Sequence, residues 1–197
     1  MKIKDIINNK KVTVSFEVFP PKQWDKIANT KKIVEEMVKD KPSFMSVTYG
    51  AAGTTSGFTT EIANAIKEGG VEPLSHLTCL TSTKEKIDSV LDELEANGIE
   101  NVLALRGDIP KDFEMGENQY FHHAFELSNA SLPAKFNKIM ERFGENPDAM
   151  KQAGIVYATE QIIDLMANGV NNIHIYTMNK PDVAHQIMEG LSAIINE

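Results

Sequence analysis

The sequence predicts an α/β fold of the (β/α)8 TIM-barrel type, and three observations support this prediction. Short apolar runs rich in β-branched residues alternate with segments of helical periodicity along the 197 residues. One face of the predicted strands is apolar. The other face becomes polar toward the strand ends, as expected where a barrel interior opens into a site at its carboxyl rim.

Five segments have the composition of strands, and helical periodicity fills the intervals between them. The predicted strands are Val12–Phe19, Ser43–Gly50, Glu72–Leu80, Asn101–Gly107 and Asn171–Met178. The predicted helices are Asp25–Lys39, Thr59–Lys67, Lys84–Asn97, Pro147–Ala167 and Pro181–Ile195. In the third helix, Thr83 is the expected cap, Gly98 the expected end, and the buried stripe is Ile87, Val90, Leu91 and Leu94.

Polar residues share one face in four of the predicted strands, because side chains alternate along a strand. These residues are Thr13, Ser15 and Glu17 in the first strand, Ser46 and Thr48 in the second, His76 and Thr78 in the third, and His174 and Tyr176 in the fifth. We expect this polar face to line the interior of the barrel near its carboxyl rim.

Glu17 is the most informative single residue, because it interrupts the strand-like stretch SFEVFPPK at residues 15–22. A buried carboxylate without a partner is costly, so the position needs a justification. The functional interpretation is a general acid kept protonated by its aromatic neighbours Phe16 and Phe19. The structural alternative is a strand-end carboxylate in water or in a salt bridge.

The stretch LALRGDIP places Arg106, Gly107 and Asp108 directly after an apolar run, where barrel enzymes carry their active sites. Gly107 would allow a ligand to approach the backbone closely. The alternative is a tight turn with an Arg–Asp pair on the surface.

Other motifs carry weaker signals. The glycine-rich segment YGAAGTTSGF at residues 49–58 lacks the lysine of a phosphate loop and suits a flexible rim loop better. Taken alone, His76 fits a hydrogen-bonded core residue better than a catalyst. His122–His123 and Cys79 do not have the spacing of zinc ligands, so no metal site is predicted.

Composition narrows the classes of partner and compartment. The net charge of −8 and the absence of a basic stripe argue against nucleic acid. No apolar run is long enough for a membrane span, and the first residues lack the apolar segment of a signal peptide. A single cysteine fits a reducing compartment, so we expect a cytoplasmic protein.

Five of these segments, in order, resemble the 5,10-methylenetetrahydrofolate reductase family, whose members are flavin-dependent barrel enzymes of one-carbon metabolism. SFEVFPPK resembles the family's first strand, FMSVTYGAAG the second, SHLTCL the third and VLALRGDIP the fourth. The segment YATEQIIDLMANGVNNIHIYTMNK resembles its last helix and eighth strand.

The resemblance implies roles for the matched positions. Glu17 falls on the family's catalytic acid, and Asp108 on a catalytic carboxylate near the flavin that also contacts the folate. The implied FAD-contacting residues are Thr48, Tyr49, His76, Arg106, Gly107, Asp108, His123 and Ala124. Lys180 stands where the family often has a substrate-contacting arginine, and it keeps the charge without the planar fork.

The resemblance also implies the reaction and its partners. NADH or NADPH reduces FAD, and the reduced flavin delivers hydride to the folate iminium to give 5-methyltetrahydrofolate, which serves methionine biosynthesis. We expect a folate substrate and, because family members are commonly oligomers, a homo-oligomer.

The sequence departs from the family by lacking strands five to seven. Residues 1–197 are predicted to form one shortened domain with an internal deletion junction near residues 127–128. A (β/α)8 barrel typically needs about 250 residues, so the barrel is expected to be incomplete. We therefore expect this chain alone to bind FAD weakly or not at all. The two strands at the gap either pair into a narrow barrel or remain as open edges.

Three alternatives remain open from the sequence. One is a non-catalytic relative that serves as a binding or assembly subunit. Another is a metal-free barrel lyase or aldolase that uses Glu17 and Asp108. The last is the product of a damaged reading frame.

Overall fold

The computed structural model describes residues 1–21, 23–49, 56–78, 84–105 and 134–195. Its strands are β1 (Thr13–Val18), β2 (Met45–Val47), β3 (Pro73–Thr78), β4 (Val102–Leu105) and β5 (Asn172–Tyr176). Its α-helices are α1 (Ile3–Asn9), α2 (Ile27–Met37), α3 (Ser56–Glu68), α4 (Lys84–Ala96), α5 (Ala134–Phe143), α6 (Pro147–Ala167) and α7 (Pro181–Ile195). Among the described residues no helix is both long enough and apolar enough to cross a membrane.

The strands form one sheet in the order β4-β3-β2-β1-β5, and every neighbouring pair is parallel. Helices connect or follow these strands, which is the arrangement of a (β/α) barrel segment. The predicted α/β fold is therefore confirmed, as an incomplete barrel. Each predicted strand contains one of the observed strands.

The two faces of the sheet differ in the way that the sequence predicts. Phe16 and Val18 of β1 are fully buried, as are Met45 and Val47 of β2, and these side chains form the main core. Buried residues of α2, α3 and α7 belong to the same core: Val34, Met37, Ile62, Ala63, Ile66, Ala184, Ile187, Met188 and Leu191. The helices thus cover the apolar face and leave the face that carries Glu17 free of this packing.

Helix α1 packs at the amino end of the sheet. Ile3 and Ile6 form a second apolar cluster with Phe44, which directly precedes β2. The buried Asn101 side chain, just before β4, accepts a hydrogen bond from the Ile3 amide at 3.0 Å. Helix α1 is therefore anchored to the amino end of the sheet through both an apolar cluster and a hydrogen bond.

The five strands that the structure describes do not close into a barrel. Strands β4 and β5 lie at its two ends, and the described residues contain no pairing between them. Closing five strands would demand a narrow interior, already crowded here by the histidine and tyrosine side chains of one face. Of the two arrangements expected for the gap, the described part of the chain shows the one in which β4 and β5 do not pair.

Several local predictions need correction. Leu91 was expected in the buried stripe of α4 but is 40% exposed, because Val90 and Leu94 carry the packing. Gly98 ends that helix with φ +64, as predicted, whereas Thr83 lies outside the described residues. Helices α1 and α5 were not predicted.

Candidate active site

Glu17 lies near the carboxyl end of β1, on the face opposite the helical core. Its register partners are Ser46 of β2 and Tyr176 of β5. The residue is only 4% exposed. Parallel strands bring their carboxyl ends to one edge, so β1, β2, β3 and β5 all contribute side chains around this carboxylate.

The carboxylate of Glu17 is surrounded by polar groups. The hydroxyl of Ser46 donates a hydrogen bond to Oε2 at 3.2 Å. Nε2 of His174 lies 3.5 Å from the same oxygen, and Nε2 of His76 lies 3.7 Å from it. Phe16, one of the two aromatic neighbours expected for Glu17, is buried on the other face.

Burial lowers the pKa of His76, and the nearby His174 lowers it further, while the carboxylate of Glu17 opposes both effects. Desolvation disfavours a charged imidazole, and it is the largest of the three causes. His76 is therefore held toward its neutral form, in which it can accept or donate one hydrogen bond.

His174 connects this cluster with β1 and with solvent. Its Nδ1 lies 2.8 Å from the hydroxyl oxygen of Ser15. Phe44 stacks on one side of the ring at a centroid distance of 6.2 Å, and Tyr176 meets it edge-on at 5.5 Å. The His174 side chain is 34% exposed, against 5% for that of Glu17.

The segment after β5 is fastened to the end of β1. The hydroxyl of Thr177 donates to the Glu17 carbonyl at 2.8 Å. The side-chain oxygen of Asn179 accepts from the Phe19 amide, and its side-chain nitrogen donates to the Phe19 carbonyl, both at 2.9 Å. Met178 and Asn179 both have positive φ, a strained conformation that these bonds maintain. This clamp fixes the backbone that carries Glu17.

The other site residues predicted from the resemblance fall in different places. Thr48 is half-buried just after β2, and Tyr49 is buried in the main core. Lys180 is exposed at the start of α7, close along the chain to the clamp. Five predicted residues lie outside the described residues: Arg106, Gly107, Asp108, His123 and Ala124.

An apolar surface lies beside His76 among the described residues. Beside His76, strand β4 presents Leu103 and Leu105 on the same face, 39% and 38% exposed. An apolar strand next to an imidazole suits contact with a flat, largely apolar ring system. Within the described residues there is no group of three or more potential metal ligands.

Four residues of this cluster were not assigned roles from the sequence. Ser46 and His174 were placed on polar strand faces, and the strand register now brings both to Glu17. Thr177 and Asn179 belong to the quoted YTMN segment, but nothing in the sequence indicates that they bind the backbone of β1.

Comparisons with known proteins give a consistent result. The family model described as methylenetetrahydrofolate reductase matches residues 2–127 and, in a second match, residues 115–192. Methylenetetrahydrofolate reductase (NADH) 1 of Zea mays is 44% identical over 110 residues, which are 55% of this chain and 18% of that protein. Methylenetetrahydrofolate reductase 1 of Schizosaccharomyces pombe is 38% identical over 134 residues, which are 64% of this chain and 22% of that protein.

A bacterial relative extends the comparison. The 5,10-methylenetetrahydrofolate reductase of Pectobacterium carotovorum is 36% identical over 103 residues, which are 52% of this chain and 35% of that protein. The matched region thus spans 18% to 35% of the length of these three relatives. The resemblance predicted from the five motifs is confirmed.

Proposed function

We propose, because this chain belongs to the methylenetetrahydrofolate reductase family, that it supplies the proton-donating side of a flavin-dependent reductase site. The reaction is the reduction of 5,10-methylenetetrahydrofolate to 5-methyltetrahydrofolate with NAD(P)H. The observation that carries the proposal is the buried Glu17, held among Ser46, His76 and His174 at the carboxyl end of the sheet.

Glu17 has the surroundings that a general acid needs. Opening the methylene bridge of the substrate requires a proton on the departing nitrogen, and a carboxyl group shielded from water can deliver it. The Ser46 hydroxyl orients the carboxyl group, and the clamp from Thr177 and Asn179 holds its backbone. Asp108 and Lys180 are proposed to contact the folate, by their positions in the family pattern.

FAD, when bound, supplies the hydride that it has received from NAD(P)H. We propose that this chain contacts FAD through His76 and the strand-end residues Thr48 and Tyr49. The further contacts belong to the family positions Arg106, Gly107, Asp108, His123 and Ala124. Because Tyr49 is packed in the core, its contribution is assigned to its backbone.

The flavin site of this chain is proposed to be incomplete, with a junction near residues 127–128 within one domain. Two matches to one family model, overlapping at residues 115–127, support this proposal. So do the open edges at β4 and β5. We therefore expect weak FAD binding, and reductase activity that depends on added FAD.

Flavin titration and NADH oxidation with menadione as acceptor test the proposed function. We expect no yellow colour after purification and NADH–menadione turnover that rises with added FAD over the micromolar range. Tight stoichiometric FAD binding would contradict the incomplete site. If added FAD gives no turnover, the proposed reductase function fails.

A second candidate is a non-catalytic binding or assembly subunit, and the sheet edges favour it. Tyr176 is 66% exposed on β5, and Val102 is 36% exposed on β4. Exposed strand edges can pair with another chain. This candidate predicts a stable oligomer without flavin-dependent turnover, which sedimentation measured beside the menadione assay would distinguish. The homo-oligomeric state and the cytoplasmic location remain proposals of the same kind.

A further inference from the structure

We propose that His174 is the positioning residue that stores and returns the proton of Glu17. The proposal rests on the proposed function, because it concerns the same acid. The two side chains differ in their access to water, because that of Glu17 is 5% exposed and that of His174 is 34% exposed. The reduction consumes one proton per turnover, so the buried acid must be reloaded from water.

The hydrogen bonds around Ser15 select one tautomer of His174. The Ser15 hydroxyl donates to the Ile173 carbonyl at 3.2 Å. Its oxygen must then accept at the 2.8 Å contact with Nδ1 of His174, which places the proton of the neutral ring on Nδ1. Nε2 therefore presents its lone pair to the other side of the ring.

That lone pair faces the carboxyl group of Glu17. Nε2 lies 3.5 Å from Oε2, and the Ser46 oxygen lies 3.2 Å from Oε2 and 3.3 Å from Nε2. Its single hydroxyl proton can point to Oε2 when Nε2 carries a proton, and to Nε2 when Oε2 carries one. A lone pair opposite a carboxylate is repulsive, so a proton placed between the two atoms, on Oε2 or on Nε2, makes the contact favourable. Hydrogen bonds of this kind tighten in the substrate complex.

The proton cycle balances without any further reactant. Glu17 gives its proton to the departing nitrogen of the substrate, which forms an N–H bond and leaves a carboxylate. Nε2 of His174 then takes a proton from solvent, and the imidazolium passes that proton to Oε2 of Glu17. The ring returns to its neutral form, and the bond from Nδ1 to Ser15 persists throughout.

The other described groups that face His174 are less suited to return a proton from water to Glu17. Among the residues that the structure describes, the titratable groups around the ring are Glu17 on β1, His76 on β3 and Tyr176 on its own strand. Burial lowers the pKa of His76, and a neutral, enclosed imidazole is a poor entry point for protons from water.

The first test uses NMR of the flavin-free chain and does not depend on activity. We expect neutral His174 to carry its proton on Nδ1, and Ser15→Ala to shift the ring toward the Nε2–H tautomer. The carbon signal of the Glu17 carboxyl group and the nitrogen signal of His174 Nε2 should change over the same pH interval. A wild-type Nε2–H tautomer, or changes over separate intervals, would overturn the proposal.

The second test uses turnover at saturating FAD, with His185→Gln as the matched control because His185 is an exposed histidine of α7. His174→Gln should lower folate reduction about tenfold or more, and by a larger factor than it lowers NADH–menadione turnover. Added imidazole should restore part of the lost rate. Full folate reduction by His174→Gln would refute the proton-return role. Absent turnover in the wild type would refute the proposed function, and the NMR result would still decide the inference.

Discussion

Asn179→Ala should destabilise the chain more than its partly exposed position suggests. The substitution removes two hydrogen bonds of 2.9 Å to the backbone of Phe19. Each contributes a net stabilisation of about 1 kcal/mol. Asn179 also has φ +56, and an alanine in this left-handed region costs roughly 1 kcal/mol more than an asparagine, whose short polar side chain tolerates it.

The sum is a loss of about 3 kcal/mol in the free energy of unfolding, which for a chain of this size lowers Tm by about 6–12 °C. Urea unfolding followed by circular dichroism measures the free energy, and a thermal melt measures Tm. Asn64→Ala is the matched control, since Asn64 donates one exposed hydrogen bond to Asn97. Alanine is also the better helix former at that position in α3.

We expect Asn64→Ala to stay within about 0.5 kcal/mol of the wild type, as surface substitutions usually do. If Asn179→Ala also stays within that range, the clamp does not hold the end of β1, and the positioning of Glu17 needs another explanation.

Three further predictions follow from burial and hydrogen bonding. Burial lowers the pKa of His76, so as pH falls below about 6.5 the imidazole is protonated in the unfolded chain before it is protonated in the folded one. In urea unfolding, the stability of the wild type should therefore fall more steeply from pH 7 to pH 5 than that of His76→Gln. Equal slopes would contradict this prediction. In the same assay, Phe16→Ala should lower the free energy of unfolding by about 3–5 kcal/mol. Val156→Ala, at a 54% exposed position, should lower it by less than about 0.5 kcal/mol. Similar losses for the two variants would refute the assignment of Phe16 to the core. Asn101→Ala should lower the free energy of unfolding by about 2 kcal/mol and speed hydrogen exchange in α1, because the Ile3 amide loses its acceptor. Unchanged exchange in α1 would show that Asn101 does not anchor this helix.

Capping residues and the alternation of apolar and polar residues made two of the helices and the faces of β1 predictable from the sequence. The bounds predicted for α6 and α7 agree with the structure at both ends. Each begins with a proline, which suits a first helical turn, and Asn146 caps α6 by accepting from the Ala149 amide at 3.1 Å. Alternation likewise predicted which face of β1 is apolar, because burial on that face requires it.

The contacts of the site depend on long-range register, which the sequence does not encode locally. His174 reaches Glu17 only because β5 pairs with β1 across more than 150 residues, with Ser15 opposite His174. A shift of one residue would turn the imidazole to the other face. Tyr49 is buried in the main core, and its contact with FAD, which was implied by the resemblance alone, stays a prediction.

Helix α1 escaped prediction for a different reason. Its seven residues are three isoleucines, two asparagines, one aspartate and one lysine, so the segment is short and its own helix propensity is low. It is stabilised instead by Ile3 and Ile6 packing on Phe44, and by the bond from Ile3 to Asn101, nearly 100 residues away. Ile3, Ile6 and Ile7 follow the i, i+3, i+4 spacing of a helix face, but one such set in seven residues is too short a signal to predict a helix.

Kinetics of Glu17→Gln at saturating FAD test the central claim most directly, because glutamine keeps the size of the side chain and the contact with Ser46 while removing the transferable proton. The account predicts that NADH–menadione turnover is preserved and that folate reduction falls by about 100-fold or more. Equal losses in both reactions, or folate reduction at the wild-type rate, would contradict the assignment of Glu17 as the proton donor.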